Sequence, residues 1–297
     1  MNGILIVYKE PGFTSFDVVA KLRGICKQKK IGHTGTLDPD ASGVLPVCLG
    51  NATKLCDMLT DKSKEYRAVL YLGQVTDTQD ASGKVLDEAE VTADEDQVKE
   101  AILSFVGEYD QIPPMYSALK VNGQKLCDLA RAGKEVERKS RCVTIEEIEI
   151  EEIDLPRVKM RVACSKGTYI RTLCHDIGQK LGCGGIMEKL ERTRAGQFKL
   201  DETRTLSEIE AFVKEGRVDE ILISTDRAFE ELPAMTVTQT GLLLLKNGNS
   251  LMPEHFVQKA DTQSISRMRV YDADGRFYAV YGWQQDKQRY AVEKMFL

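Results

Sequence analysis

The chain has 297 residues, of which 42% are hydrophobic, and a formal net charge of −5. This composition excludes a disordered polyelectrolyte and fits one large domain, or one large and one small. No apolar run approaches the ~18 residues of a membrane span, and the apolar N-terminal segment is too short for a signal peptide. We therefore expect neither a membrane protein nor a secreted one.

The cysteine and histidine positions argue against a metal site. The eight cysteines include no C-x-x-C pair, and the three histidines are scattered along the chain. Zinc-finger and zinc-ribbon spacings are therefore absent from the sequence. Several cysteines lie within apolar stretches, where a reduced thiol packs as a small hydrophobic group. We expect a cytoplasmic protein with free thiols and no structural metal.

The first half of the sequence alternates predicted strands and helices. Apolar runs and their periodicity predict strands at 3–9, 44–49 and 65–73, and helices at about 14–27, 93–106 and 126–132. The segment between the first helix and the second strand is rich in glycine, proline and aspartate, which is typical of a loop.

The second half begins with two alternating segments. Residues 143–153 alternate isoleucine with glutamate, and residues 158–164 show a similar alternation of apolar and polar side chains. The two segments therefore predict a pair of antiparallel strands with one face exposed to solvent. A helix is predicted at 168–181. A leucine-rich helical run at 242–245 and strands at 267–272, 277–283 and 289–296 predict a small, mostly β appendage. The whole is predicted to be an α+β fold rather than a doubly wound parallel sheet, with domains at 1–232 and 233–297.

Charge is segregated along the chain. Basic residues are concentrated at 21–30, 131–141, 157–171 and 189–199, and acidic residues at 87–110 and 146–154. The basic segments either fold onto one face and form a phosphate-binding surface, or lie on separate faces where their charges are simply solvated. Both interpretations stay open.

The loop at 30–43 is the most unusual stretch of the sequence. Three glycines within it allow positive φ angles and close approach by another chain. Asp38 precedes a proline, which favours an extended backbone and directs the carboxylate away from the loop. An Asp-Pro dipeptide by itself is an ordinary turn starter.

The residues of this loop carry a family resemblance. Residues 32–39 (Gly-His-Thr-Gly-Thr-Leu-Asp-Pro) resemble the active-site loop of the bacterial tRNA pseudouridine synthase B family. Segments at 64–80, 113–120 (Pro-Pro-Met-Tyr-Ser-Ala-Leu-Lys) and 164–171 (Cys-Ser-Lys-Gly-Thr-Tyr-Ile-Arg) resemble it in the same order. The similarity runs from residue 3 to about 225. It departs from the family pattern at 9–12, where the proline is displaced, and at 190–193.

The resemblance implies a fold and a reaction. The fold is the pseudouridine synthase fold, a mixed, largely antiparallel central sheet flanked by helices. The reaction isomerises the T-loop uridine 55 of tRNA: the C1′–N1 bond breaks and the base rejoins through C5, with no cofactor and no metal. Asp38 is the expected nucleophile, and Arg171 its ion-pair partner, holding the pKa of the carboxyl down. Three mechanisms stay open: attack of Asp38 on C1′, attack of Asp38 on the base, and formation of a glycal intermediate.

The resemblance also implies substrate contacts. Tyr66 is expected to stack on the uracil and to take the C5 proton. Tyr169 opens a helix whose N–H groups can face phosphate, and Leu190 is an apolar wall of the pocket. The target uridine is stacked in folded tRNA and must be flipped out. His33 is expected to fill the space that flipped bases leave.

The C-terminal segment 233–297 is expected to be a PUA-like RNA-binding domain. Its aromatic residues are interleaved with basic ones, which are Lys246, Lys259, Arg267, Arg269, Arg276, Lys287, Arg289 and Lys294. This composition permits contact with the acceptor stem in addition to the T-arm. We expect a monomer that needs no membrane, no guide RNA and no obligatory protein partner.

Three alternatives stay open. A glycoside hydrolase-like enzyme would use two carboxylates on one sugar, for which Asp38 and Asp40 are the candidates. A non-catalytic RNA-binding or RNA-folding module would need the basic surface but not Asp38. A guide-RNA-dependent enzyme acting on ribosomal RNA would belong to the same superfamily, and the sequence lacks the long basic extension expected of one.

Overall fold

The computed structural model describes residues 1–121, 123–258 and 265–297. Lys259, one of the basic residues expected to face RNA, lies outside the described residues. The strands are β1 (Gly3–Lys9), β2 (Ile31–His33), β3 (Ser42–Leu49), β4 (Lys64–Leu72), β5 (Gln74–Thr76), β6 (Val85–Glu88), β7 (Gly107–Gln111), β8 (Lys120–Val121), β9 (Gln124–Lys125), β10 (Arg141–Asp154), β11 (Arg157–Cys164), β12 (Gly185–Ala195), β13 (Phe198–Lys199), β14 (Ala234–Thr236), β15 (Arg267–Tyr271), β16 (Phe277–Gln284) and β17 (Arg289–Met295).

The helices are of two kinds. The α-helices are α1 (Ser15–Ile25), α2 (Cys56–Thr60), α3 (Glu95–Leu103), α4 (Leu126–Arg131), α5 (Ile170–Leu181), α6 (Leu206–Lys214) and α7 (Gln239–Lys246). Short 3-10 helices lie at Gly50–Leu55, Leu200–Glu202, Val218–Glu220, Thr225–Phe229 and Pro253–His255. Every strand and helix predicted above is present, with ends that differ by a few residues.

A mixed sheet forms the centre of the molecule. Its strand order is β1-β3-β12-β4-β11-β10-β7, with β2 paired to β3 and β13 paired to β12. Within the described part of this sheet the neighbours are antiparallel, except that β3 and β12 run parallel, with Glu191 opposite Ser42 and Arg192 opposite Gly43. The predicted ladder is the β10–β11 pair, and the α+β expectation is confirmed.

The sequence analysis missed the strand at the middle of this sheet. β12 lies between β3 and β4, and it brings Leu190 and Arg192 to the centre of the sheet. Register shifts between Met187 and Lys189 and between Arg192 and Arg194 interrupt its pairing with β4. Each shift inserts a residue and reverses the side-chain alternation, so β12 lacks the period-two pattern by which strands are recognised.

Helices cover one face of the sheet, and a second core, shared with the C-terminal unit, buries the other face of β1 and β3. α3 and α5 pack on β4, β10 and β11 in a core that includes Leu70, Met160 and Leu173. α1 and α6 pack on β1 and β3 around Leu5 and Leu45. Burial on both faces explains why β1 and β3 read as continuous apolar runs rather than as alternating ones.

The opposite face of β4, β10, β11 and β12 carries a charged ladder. Arg67 pairs with Glu151 at 2.9 Å, and Arg157 with Glu188 at 2.8 Å. Arg161 lies between two glutamates, and its Nη1 is 3.1 Å from Glu65. The basic residues of β11 are therefore neutralised by neighbouring strands and do not form a free phosphate-binding surface, which corrects the one-face interpretation for this segment.

A separate four-stranded sheet forms the C-terminal unit, in the order β14-β15-β16-β17. It has its own core, in which Leu245 and Tyr281 are fully buried. The unit joins the rest of the chain through an aromatic cluster of Phe229, Phe277 and Phe296. The small, mostly β appendage is confirmed, while its boundary at 232/233 stays a prediction.

The longest α-helix in the described residues is α5, with twelve residues. At 1.5 Å per residue it is well short of the ~30 Å hydrocarbon thickness of a bilayer. Across the described ranges, no helix could cross a membrane.

Two glycines give opposite predictions for stability. Gly43 has a φ of +105°, and a Cβ there would lie 2.2 Å from the Arg192 carbonyl oxygen. Gly24 lies in α1 with open space around it. Gly43→Ala should destabilise the fold by about 3 kcal/mol, whereas Gly24→Ala should stabilise it by ~0.5–1 kcal/mol. Urea unfolding followed by circular dichroism measures both, and equal midpoints for the two variants would contradict the prediction.

Candidate active site

The centre of the site is an ion pair between the loop aspartate and the arginine of α5. Arg171 Nε lies 3.0 Å from one carboxylate oxygen of Asp38, and Arg171 Nη2 donates to the other at 3.3 Å. The arginine side chain is 7% exposed, while that of Asp38 is 37% exposed. The carboxylate thus faces open space, and a buried cation lies behind it.

The same guanidinium binds three further groups. Nη1 donates to the Thr78 carbonyl oxygen at 3.2 Å and lies 3.4 Å from an Asp80 carboxylate oxygen. Nη2 also donates to the Tyr116 carbonyl oxygen at 2.8 Å. Asp80 orders its own turn as well, since its carboxylate accepts from the Ser82 amide. The sequence analysis did not anticipate the contact between Asp80 and Arg171.

Burial and charge act in opposite directions on Asp38. Burial raises the pKa of its carboxyl above the ordinary value, and the nearby carboxylates Asp80 and Asp40 raise it further, while Arg171 and Lys9 lower it. The net direction is upward. The expectation that Arg171 lowers the pKa is right for that interaction, but the effect of burial is larger.

Tyr66 lies on β4 between Val162 of β11 and Arg192 of β12. Burial raises the pKa of its phenol, and the nearby Arg192 only partly offsets this. The hydroxyl therefore stays protonated at neutral pH.

Two buried cations hold the loop that carries Asp38. Lys9, which is fully buried, donates to the Pro39 carbonyl oxygen at 2.9 Å and to that of Ala41. Burial lowers the pKa of Lys9 to about 8. Arg192 donates to the Val44 carbonyl oxygen at 2.7 Å and to that of Gly35 at 3.3 Å.

Ser15 at the start of α1 fixes the residue just before the aspartate. The Leu37 amide donates to Ser15 Oγ at 2.8 Å, and this hydroxyl donates to the Leu37 carbonyl oxygen at 3.2 Å. Sequence reasoning missed these anchors. Lys9 and Arg192 drew notice only as family departures, and a charged residue in a strand gives no sign of whether it is buried.

A cavity of about 570 Å³ lies above the ion pair. Five of the six predicted site residues line it: Asp38, Tyr66, Tyr169, Arg171 and Leu190. The sixth, His33, is on β2 and is not among the lining residues. The arrangement offers a carboxyl group paired with a cation, an aromatic ring and an apolar wall around one space.

His33 is half-buried, and its Nδ1 has no hydrogen-bond partner in the described residues. Burial and the nearby Arg192 lower the pKa of this imidazole, so the neutral form is favoured in the folded chain.

The described residues contain no group of three or more His, Cys, Asp or Glu side chains placed to hold a metal ion. All eight cysteines are free, and five of them are buried, of which Cys48, Cys164 and Cys174 are fully buried.

Comparison with known proteins agrees with this geometry. A model of the TruB family pseudouridylate synthase N-terminal domain matches residues 23–170, and one of the tRNA pseudouridylate synthase B C-terminal domain matches 171–230. The tRNA pseudouridine synthase B of Lachnoclostridium phytofermentans is 54% identical over all of both chains. That of Clostridium acetobutylicum is 47% identical over 93% of this chain and 94% of its own.

Solved structures agree as well. A chain of a Cbf5-Nop10-Gar1 complex superposes with a TM-score of 0.73 at 29% identity, covering 99% of this chain and 85% of its own. A chain of an H/ACA RNP bound to a substrate RNA containing 2′-deoxyuridine gives 0.72 at 26% identity, with the same coverage. The fold is that of a pseudouridine synthase. Among these enzymes, the chain belongs to the TruB family of tRNA pseudouridine synthases.

The neutral His33 gives a prediction for stability against pH. Unfolded histidine takes up a proton near pH 6.5, but the folded chain holds His33 neutral to a lower pH. Below pH 6.5 the unfolded state therefore binds more protons, and stability should fall as the pH is lowered. Thermal melts between pH 7.5 and 5.5 should show a shallower fall for His33→Asn than for the native chain. Identical slopes would show that His33 does not contribute.

Proposed function

We propose that the chain converts uridine 55 in the T loop of tRNA into pseudouridine, with Asp38 as the nucleophile on a flipped-out uridine. The observation that carries the proposal is the buried Arg171 paired with Asp38 at the base of a cavity large enough for a nucleotide. Membership of the TruB family supports the reaction and the substrate. The chain is thus an isomerase that acts on tRNA.

The reaction needs a carboxylate that stays ionised while water is excluded. Breaking C1′–N1 leaves an electron-poor sugar, forming C1′–C5 releases the C5 proton, and N1 takes up a proton, so the product is an isomer of the substrate. Attack at C1′, attack at the base and formation of a glycal all use Asp38 in the same position. Arg171 opposes the effect of burial on the carboxyl and fixes its orientation with two contacts.

Tyr66 supports the base. Its ring forms part of the cavity wall between β11 and β12, where it can stack on uracil. Because burial raises the pKa of the phenol, it is a weak proton acceptor at neutral pH. Stacking is therefore its main role, because the phenol could take the C5 proton only after losing its own.

The remaining predicted residues bind the flipped nucleotide. Leu190 forms the apolar wall, and Tyr169 borders the cavity at the start of α5. His33, neutral and five residues before Asp38 on the same segment, is available to stack on bases next to the vacated position.

The C-terminal unit is proposed to be a PUA-like domain that contacts the acceptor stem. Arg267 is already paired with Glu293 at 2.8 Å, and Arg269 donates to the Leu232 carbonyl oxygen at 2.9 Å. Contact with phosphate would therefore come from the lysines of this unit, such as Lys246. We propose that the chain acts as a monomer in the cytoplasm, without a guide RNA or an obligatory protein partner.

The first test uses tRNA transcript carrying tritium at uridine C5. The native chain should release about one equivalent of tritium per tRNA, because the C5 hydrogen is lost when C5 bonds to the sugar. Asp38→Asn should reduce the rate by more than about a thousand-fold while tRNA binding persists.

Asp40→Asn is the matched control for this test, since it removes the neighbouring carboxylate of the same loop. Its rate should stay within a few-fold of native, and no free uracil should appear. Tight binding without tritium release by the native chain would instead favour a non-catalytic RNA-binding module. Uracil release would favour a glycoside hydrolase-like reaction.

A second prediction concerns Arg171. Arg171→Lys keeps a cation but loses the two-point contact, and single-turnover tritium release should slow by about a hundred-fold.

Native activity should fall as the pH is lowered through the pKa of Asp38, because only the carboxylate attacks. In the variant this fall should begin at higher pH, since Arg171 lowers that pKa.

Arg161→Lys changes an arginine of the charged ladder, which lies on the other face of the sheet, and should leave rate and pH profile unchanged. If Arg161→Lys and Arg171→Lys gave the same profile, the role of the ion pair would be refuted.

A further inference from the structure

We propose that Gln111 is a positioning residue for the isomerisation, holding the start of α5 so that Tyr169 and Arg171 stay aligned with Asp38. The inference rests on the proposed function and adds a residue that does not line the cavity.

The amide of Gln111 binds both backbone groups of one residue. Its Nε2 donates to the Tyr169 carbonyl oxygen at 3.0 Å, and its Oε1 accepts from the Tyr169 amide at 2.7 Å. Gln111 is 1% exposed. A side-chain amide thus pairs with Tyr169 as a neighbouring strand would, and both polar groups of the buried amide are satisfied.

The start of α5 depends on this contact. Tyr169 is the N-cap of α5, with extended φ and ψ of −102° and 108°, and no side chain caps the helix there. Two residues later, Arg171 reaches Asp38. A shift at Tyr169 would therefore move both a cavity wall and the guanidinium, and displacements of about 1 Å in an active site can cost a hundred-fold in rate.

The strand that carries Gln111 is itself fixed to α5 at a second point. β7 is the last strand of the central sheet, and Tyr109, two residues before Gln111, donates a hydrogen bond to Asp176 in the second turn of α5. The two contacts have different consequences. The one at Gln111 determines where α5 begins, beside the catalytic pair, whereas the one at Tyr109 holds the helix further along.

The experiment compares Gln111→Leu with Gln111→Glu. The leucine variant keeps the volume but loses both hydrogen bonds, and its single-turnover tritium release should slow by between about ten- and a hundred-fold at every pH. The glutamate variant keeps an acceptor for the Tyr169 amide. When the introduced carboxyl is ionised, its second oxygen lies against the Tyr169 carbonyl oxygen, and the two oxygens repel each other. When protonated it can donate to that carbonyl again.

The rate of Gln111→Glu relative to native should therefore rise as the pH falls from 8.5 to 5.5, while the relative rate of Gln111→Leu stays flat. The titratable and charged groups around position 111 are Tyr109 on the same strand, Arg141 opposite it on β10, and Tyr169 and Asp176 on α5. Arg141 favours the ionised form of the introduced carboxyl, whereas burial and Asp176 favour the protonated form. Taking the ratio to native at each pH removes the titration of Asp38 itself.

Two controls separate positioning from general loss of stability. Tyr109→Phe removes the other link between β7 and α5, together with an interaction of the Tyr109 hydroxyl with the Gln111 side chain, but it leaves both hydrogen bonds between Gln111 and Tyr169. It should lower the melting temperature with little change in rate. Gln197→Leu removes a comparable hydrogen bond, from Gln197 Nε2 to the Arg227 carbonyl oxygen at 2.8 Å, far from the site. It should leave the rate unchanged.

Circular dichroism melts of each variant report whether it folds. An active native chain with full rates in both Gln111 variants would overturn this inference alone, as would a flat pH ratio for Gln111→Glu or an equal rate loss in Tyr109→Phe. An inactive native chain would overturn the proposed function instead.

Discussion

The structure depends on one buried cation. Removing a guanidinium from water costs free energy unless each of its N–H groups is paired. Arg171 pairs with two carboxylates, those of Asp38 and Asp80. It also donates to the carbonyl oxygens of Thr78 and Tyr116. Those partners come from the active-site loop, the turn after β5 and the segment after β7. The requirement to satisfy one side chain on α5 therefore brings three loops together, and two of them, the active-site loop and the segment after β7, line the cavity.

Rigidity of the loop follows from a second set of buried donors. Lys9 and Arg192 both donate to loop carbonyl oxygens, and Ser15 holds Leu37 from both sides. A catalytic carboxylate works best when it is positioned before the substrate arrives. Here the positioning groups lie on β1, β12 and α1, so three separate elements of the fold hold the loop.

The fold alone does not decide how RNA is brought to the site. The superposed solved chains come from assemblies named as a Cbf5-Nop10-Gar1 complex and an H/ACA RNP, whereas the full-length relatives are named as tRNA pseudouridine synthases. A shared fold is compatible with different substrates, since specificity resides in surfaces added to a fold. In this chain the charged ladder pairs the basic residues of β11 with glutamates of neighbouring strands, so these residues are not free to bind phosphate.

The sequence by itself determined the elements with a clear period, such as β10 and β11, and, through the family resemblance, the aspartate–arginine pair and the residues around it. Local side-chain patterns and motifs are enough for such features. Only the tertiary structure decided the rest. The side chains of β12 show no period-two alternation because register shifts interrupt its pairing. The roles of Lys9, Gln111 and Arg192 depend on partners that lie 30 to 157 positions away in the sequence. Contacts of that kind exist only after the sheet has formed, because burial, not sequence neighbourhood, determines which polar groups must pair.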